Sequence, residues 1–108
     1  TRFDGHFICD PSVVKVGAKY YMYYSGYVDS VYWPNRLNRV GLRVSDDGIN
    51  WSSITNNLPI LNPYNPSCQN CGYGIGQPSV IYLDGYFYLS VTDTTNPGIV
   101  GNDGQYAF

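Results

Sequence analysis

Short β-branched and aromatic runs, separated by turns bearing Gly, Asp and Asn, organise the chain. Residues 13–16 (VVKV) read as a first strand and 17–19 (GAK) as a tight turn. Residues 20–25 (YYMYYS) then form an aromatic second strand. After a polar loop, 39–45 (RVGLRVS) supplies a third strand, and Asp46-Asp47-Gly48 turns the chain into a fourth at 51–54 (WSSI). Four strands joined in sequence order predict an antiparallel meander.

The pattern then starts again. DPSVVKVGAKYYMYYSG, residues 10–26, has a counterpart in QPSVIYLDGYFYLSVTD, residues 77–93. The second copy predicts strands at 79–83 and 86–92 around an Asp84-Gly85 turn, with a third strand beginning at 106–108. A recurring four-stranded unit of this size is the mark of a β-propeller blade. The expected fold class is therefore all-β, with about one and a half blades in a single partial propeller domain over residues 1–108. The first blade would occupy 10–58 and the second would begin within 77–108. Tight links join strands one to two and three to four, whereas the links 26–38, 55–76 and 93–105 are long. In a meander the long links gather at one end of the sheet, together with the starts of the first strands. Asp10 and Gln77 stand at those starts, so that face is where binding residues are expected.

Composition narrows the function classes. The 108 residues include 12 Tyr and 12 Gly but no Glu, and charged residues make up 13%. The net charge of −2, with no block of like charges, gives no reason to expect a nucleic-acid partner. No apolar run approaches the length of a membrane span. Three cysteines occur, Cys9 and the CQNC pair Cys68 and Cys71. A disulfide from Cys9 to one member of the pair, free thiols, and a metal site are all open readings. The metal reading is the weakest, because a zinc site asks for a second pair or for nearby histidines, and His6 is the sole histidine. No cofactor and no metal are expected.

At DPSVVKVGAKYYMYYSG, SDDGINW and GQPSVIYLDGYFYLSVTD the chain resembles the five-bladed β-propeller glycoside hydrolases, especially family 43 and its relatives acting on arabinose- and xylose-containing glycans. The resemblance implies a propeller several times longer than two blades, so at most two-fifths of it would be present. It also implies that the Asp of an Asp-Pro strand start projects into the central pocket, as the general base or as a second Asp that tunes proton affinity. Asp10 matches either role. Gln77 departs from the pattern, because an amide can hydrogen-bond a sugar hydroxyl but does not exchange protons at neutral pH. With no Glu in the chain, the family's general acid is expected to lie outside it or not to exist. The function implied is hydrolysis of an arabinoside- or xyloside-like oligo- or polysaccharide in an extracellular or periplasmic setting. The alternative is a non-catalytic glycan-binding or self-assembling segment, completed by the rest of a propeller or by other chains.

Other residues carry two readings each. Trp33, in the loop GYVDSVYWPNRLNR, is placed either to stack on a sugar ring or to anchor its own loop. His6 lies close to Asp10 in sequence and is either a substrate contact or an ordinary satisfied polar group. Asp93 ends the second aromatic strand on the open face and is a further pocket candidate. The tyrosines of 20–24 and 86–88 are read as packing residues, and SDDGINW as a structural turn with Trp51 anchored in the core.

Overall fold

A computed structural model describes residues 2–27, 37–68 and 71–96, and the backbone of 104–107. It is all-β and antiparallel. Strands β1 (Phe7–Val16), β2 (Lys19–Tyr27), β3 (Arg39–Ser45) and β4 (Ser52–Ser53) form one sheet in sequence order. Strands β5 (Ile75–Leu83), β6 (Tyr86–Asp93) and β7 (Gly104–Ala107) form a second.

The two hairpins are copies of each other at a shift of 67 positions. Ile8 pairs with Gly26 and Val16 with Lys19, and correspondingly Ile75 pairs with Asp93 and Leu83 with Tyr86. Each copy contains the same interruption, between Cys9 and Ser12 in β1 and between Gly76 and Ser79 in β5. These are β-bulges, and they explain why the first strands run longer than the sequence pattern suggests. A proline has no N–H for the ladder and is tolerated in a strand at a bulge, so Asp10-Pro11 and Gln77-Pro78 sit inside their strands rather than ahead of them. The turn ends differ. Asp84 and Gly85 both have positive φ (51° and 85°), as a type I′ hairpin requires, whereas at the first turn Gly17 alone does (61°).

The fourth strand is shorter than expected, two residues in place of four. The cause is local: Ser53 Oγ accepts the N–H groups of Thr55 (3.3 Å) and Asn57 (2.9 Å), turning the chain away from the ladder. Asn56 and Asn57 complete that turn at positive φ. Trp51 is half-buried, not the core anchor anticipated from SDDGINW. That turn holds itself together through polar groups. Ser45 Oγ accepts from the N–H of Gly48 (2.8 Å), and Asp47 Oδ1 accepts from those of Ile49 and Asn50 (2.8 Å each). These bonds hold the Asp47 carboxyl well below the usual carboxylate range.

The core lies between the sheets. Tyr23 and Val40 of the first sheet, with Val14, Tyr21 and Leu42 beside them, pack on Val80, Leu89, Val91 and Phe87 of the second. The Phe87 ring sits 4.9 Å from Tyr21 and 6.0 Å from Tyr23, both tilted, in the range of favourable aromatic pairs. Alternation along the strands makes this possible, because residues two apart share a face.

On the other face of the first sheet the leading segment 2–4 folds over β2 and β3. Phe3 stacks on Tyr24 at 6.0 Å, and Gly41 leaves room for both rings, since a Cβ there would stand 2.5 Å from each. Beside them the enclosed Asp4 carboxylate accepts from Tyr24 Oη (2.7 Å), Arg2 Nε (2.9 Å) and Arg43 Nη2 (3.1 Å). Burial alone would raise the Asp4 pKa. The donors from Arg2, Tyr24 and Arg43 outweigh it and hold the carboxyl well below its ordinary range. Burial first, and the bond to Asp4 next, push the Tyr24 phenol up to about 12 against the opposing pull of Arg43.

A group whose folded pKa is depressed contributes stability above its unfolded pKa, about 3.9 for Asp, and loses it as pH falls below that value. Asp4→Ala should therefore destabilise the fold by about 3 kcal/mol at neutral pH, leaving Arg43 unpaired. Asp4→Asn should flatten the loss of stability between about pH 4 and the depressed folded value. Urea unfolding across that pH range reads both effects.

Candidate functional site

Three strands and one loop converge where the two first strands meet. Ser25 of β2 is fully buried, and its Oγ accepts the N–H of Gln77 at 2.8 Å. Tyr73, in the loop before β5, places its Oη 2.8 Å from Ser25 Oγ and 2.6 Å from Asp10 Oδ2. A carboxylate only accepts, so the Tyr73 proton goes to Asp10, and the Ser25 proton must then serve the Ser25–Tyr73 contact. The result is a continuous chain in which Gln77 N–H donates to Ser25, Ser25 O–H to Tyr73, and Tyr73 O–H to Asp10. Successive donors polarise one another in such a chain.

Backbone geometry equalises the two strand leaders. Asp10 and Gln77 both have φ of 52°, unusual for residues with a side chain, and both side chains are exposed. The bulge fixes this conformation in each copy and turns the leader out of the ladder. Gly76, just before Gln77, has no alternative residue available without rearrangement. A Cβ there would collide with Ser25 Oγ and stand 2.6 Å from Tyr73 Oη. Val80 N–H donates to Ser12 Oγ at 3.1 Å, which ties the two strands together one step further along.

Burial first, and the bond to Asp10 next, push the Tyr73 phenol far above its ordinary value, so it remains a donor throughout the physiological range. Cys9 Sγ lies 3.4 Å from the same oxygen of Asp10. Burial, then Asp10, raise its thiol pKa as well, which makes Cys9 a weak donor rather than a thiolate nucleophile. Both contacts fall on Oδ2. Among the described residues no hydrogen bond is made to Asp10 Oδ1, and Asp10 as a whole is exposed.

The cysteines pair differently from the sequence expectation of a bond to Cys9. Cys68 and Cys71 form the disulfide, with Cα atoms 5.7 Å apart, and Cys9 is free. Cys9 lies within a strand, beside Ser25 across the ladder, and its thiol is directed to Asp10. No group of His, Cys and acidic residues suited to a metal occurs among the described residues.

The remaining sequence candidates separate. His6 is exposed, with its N–H donating to Tyr27 O (3.1 Å) and its ring 5.6 Å from that of Tyr27. It lines a shallow concavity with Arg2, Asp4 and Phe7 rather than contacting Asp10. Asp93 is 2% exposed, and both of its oxygens are engaged. Oδ2 accepts from Tyr64 N–H (2.8 Å), and Oδ1 from the N–H (2.9 Å) and hydroxyl (2.7 Å) of Thr95. It fastens the loop before β5 to the end of β6, which is the work of a structural carboxylate. Trp33 lies outside the described residues. A recess walled by Lys19, Asp46, Asp47 and Ile54 sits at the tight-turn end, away from Asp10.

Sequence reading missed two members of this polar network and, apart from it, the Asp4 cluster on the other face of the first sheet. Ser25 and Tyr73 look like ordinary strand and loop residues, and Asp4 stands in an unpatterned leading segment. The one available signal is Gly76, the last Gly of CGYGIGQP and the one directly before Gln-Pro, since Gly at a strand start marks a close approach of another group.

No family model matches the chain, and no solved structure matches it.

Because the Asp10 charge favours the protonated phenol, Asp10→Ala should move Tyr73 ionisation to lower pH, while the exposed tyrosines keep their midpoints. Following the Cζ resonances of labelled tyrosine through an alkaline titration tests this.

Proposed function

We propose that the chain forms part of a carbohydrate-active β-propeller of the five-bladed glycoside hydrolase type, each four-stranded unit being one blade. On this reading it hydrolyses arabinoside- or xyloside-like glycans outside the cytoplasm. The observation that carries the proposal is an exposed Asp10 carboxylate, held by Tyr73 at a bulge that recurs at Gln77. Bulges beside sites re-aim side chains, and catalytic carboxylates need support of this kind to be preorganised. The Cys68–Cys71 disulfide supports an oxidising compartment.

Asp10 would act through Oδ1 as general base, drawing a proton from water as that water attacks the anomeric carbon, or as the neighbouring carboxylate that tunes the acid. Inverting hydrolysis asks for a second carboxyl about 6.5–9.5 Å away that protonates the leaving oxygen. The chain contains no Glu, so the usual acid would come from beyond these 108 residues. Gln77 would contact a sugar hydroxyl through its amide. His6 and Trp33 are further candidate sugar contacts, and Asp93 is the weakest, its carboxylate being occupied.

A second reading is glycan binding without hydrolysis. It is favoured by Gln77, which puts a proton-inert amide at the bulge equivalent to that of Asp10.

Asp10→Asn in the full-length protein should reduce turnover of arabinoside and xyloside substrates by about 10²–10⁴-fold with unchanged circular dichroism. Gln77→Ala should raise KM by about 3- to 10-fold, the worth of one hydrogen bond. Unchanged turnover in Asp10→Asn would remove Asp10 from catalysis. Retained glycan affinity without turnover in the unmodified protein would select the binding reading.

A further inference from the structure

The segment that delivers Tyr73 to Asp10 is gripped from both sides. From the first unit, Asn38, just ahead of β3, donates its backbone N–H to Tyr73 O at 2.8 Å, and its own carbonyl accepts from Ile75 N–H at 3.1 Å. Asn38 and Gly74 thus form a parallel bridge between the leads into β3 and β5. From the second unit, Thr94 N–H donates to Gly74 O at 2.9 Å, and Thr94 Oγ1 accepts from Gly74 N–H at 3.0 Å. Gly74 has φ of 98°, and a Cβ there would stand 2.7 Å from Asn38 N and 2.8 Å from Asn38 O, so this approach needs glycine.

The Asn38 side chain adds to this grip in a way that stability does not explain. Its Nδ2 donates to the same Tyr73 oxygen at 3.0 Å, although the backbone N–H already satisfies that carbonyl. The residue is 5% exposed, and among the described residues its buried Oδ1 has no hydrogen-bond partner. An enclosed amide oxygen without a partner costs more stability than one neutral hydrogen bond returns. By that balance a leucine, nearly the same shape, would serve the fold as well or better. What the amide supplies instead is direction. Two donors from one residue take both lone pairs of Tyr73 O and fix the plane of the peptide that follows Tyr73. From that fixed point the Tyr73 ring reaches Asp10, with Oη 2.6 Å from Oδ2.

We propose that Asn38 is a positioning residue for Asp10, acting through the Tyr73 carbonyl to hold the phenol where it supports the carboxylate. Its effect passes through two links, amide to carbonyl and phenol to carboxylate. Both lie within the packing of the two units on each other. A buried amide that the fold does not favour is kept because it fixes a site, an exchange of stability for geometry. The inference rests on the reading of Asp10 as the working carboxylate, while the grip of Asn38 on Tyr73 can be tested without any glycan.

Asn38→Leu in the full-length protein is the test, because it removes both side-chain polar atoms and leaves Tyr73 O its backbone donor. The urea midpoint should hold or rise. The Tyr73 Cζ resonance should titrate at lower pH than in the unmodified protein, since burial and Asp10 would bear less fully on the phenol. On arabinoside and xyloside substrates kcat should fall about 10-fold, with KM changed by less than about twofold. Asn38→Ala should move the Tyr73 midpoint and kcat the same way, and it decides the matter should leucine prevent folding. A Tyr73 midpoint unmoved in the folded variants overturns the proposal. Failure of both variants to fold also overturns it, since Asn38 would then be serving the fold. So does an unchanged kcat where Asp10→Asn loses turnover. Should Asp10→Asn keep its turnover, the catalytic reading of Asp10 fails by itself, and the Tyr73 midpoint still decides whether Asn38 holds the phenol.

Discussion

The packing of one sheet on the next is the constraint on which the rest of this structure depends. Each sheet is a single layer, and a single layer has nowhere of its own to hide an apolar face. Tyr23 and Val40 are buried because Val80, Leu89 and Val91 stand against them. At about 1.5–3 kcal/mol for each large apolar side chain removed from water, this interface outweighs any individual polar contact in the molecule. Polar groups instead decide the angle and register at which the layers meet. Val80 N–H on Ser12 and Gln77 N–H on Ser25 are bonds between the units, and a slip of one residue would break both.

Ser25 shows how the interface produces a site. It is buried because β2 lies under the start of β5, and a buried hydroxyl must be satisfied. Gln77 N–H and Tyr73 Oη supply its partners, and Tyr73 in turn has its remaining bonding capacity directed at Asp10. An exposed carboxylate is thereby tied to the packing between the layers. Loosening that packing would be felt at Asp10 through the Ser25–Tyr73 link.

The hairpins, the turn residues and the third strand of the first unit were legible because they rest on local chemistry: alternation, β-branching and Gly or Asp at turns. The 67-residue repeat was legible for the same reason, since equal backbone geometry selects similar residues. The bulges were not, because a bulge leaves its neighbours' composition unchanged and declares itself only in the partner strand's register. The cysteine pairing depended on where β1 points Cys9, a tertiary matter. Asp93 illustrates the limit most clearly. Its position at a strand end was visible, but its role follows from the N–H groups of Tyr64 and Thr95, which reach it from loops. The Asp10 site was half legible: its two leaders stood out, and the Ser25–Tyr73 link between them did not.

The contrast between Asp10 and Gln77 now has a physical account. At both positions the scaffold makes its demand on the backbone: φ of 52°, a following proline, and in the second unit an N–H aimed at Ser25. None of these involves the leader's own side chain, which is exposed in both units. A carboxylate can become an amide there at little cost in stability, since the group stays in water and an amide oxygen also accepts hydrogen bonds. The consequence for chemistry is large, because only one of the two can take a proton. Stability and reactivity are therefore separable at this position. That separation allows a repeat to hold its fold constant while each unit contributes a different group to a shared face.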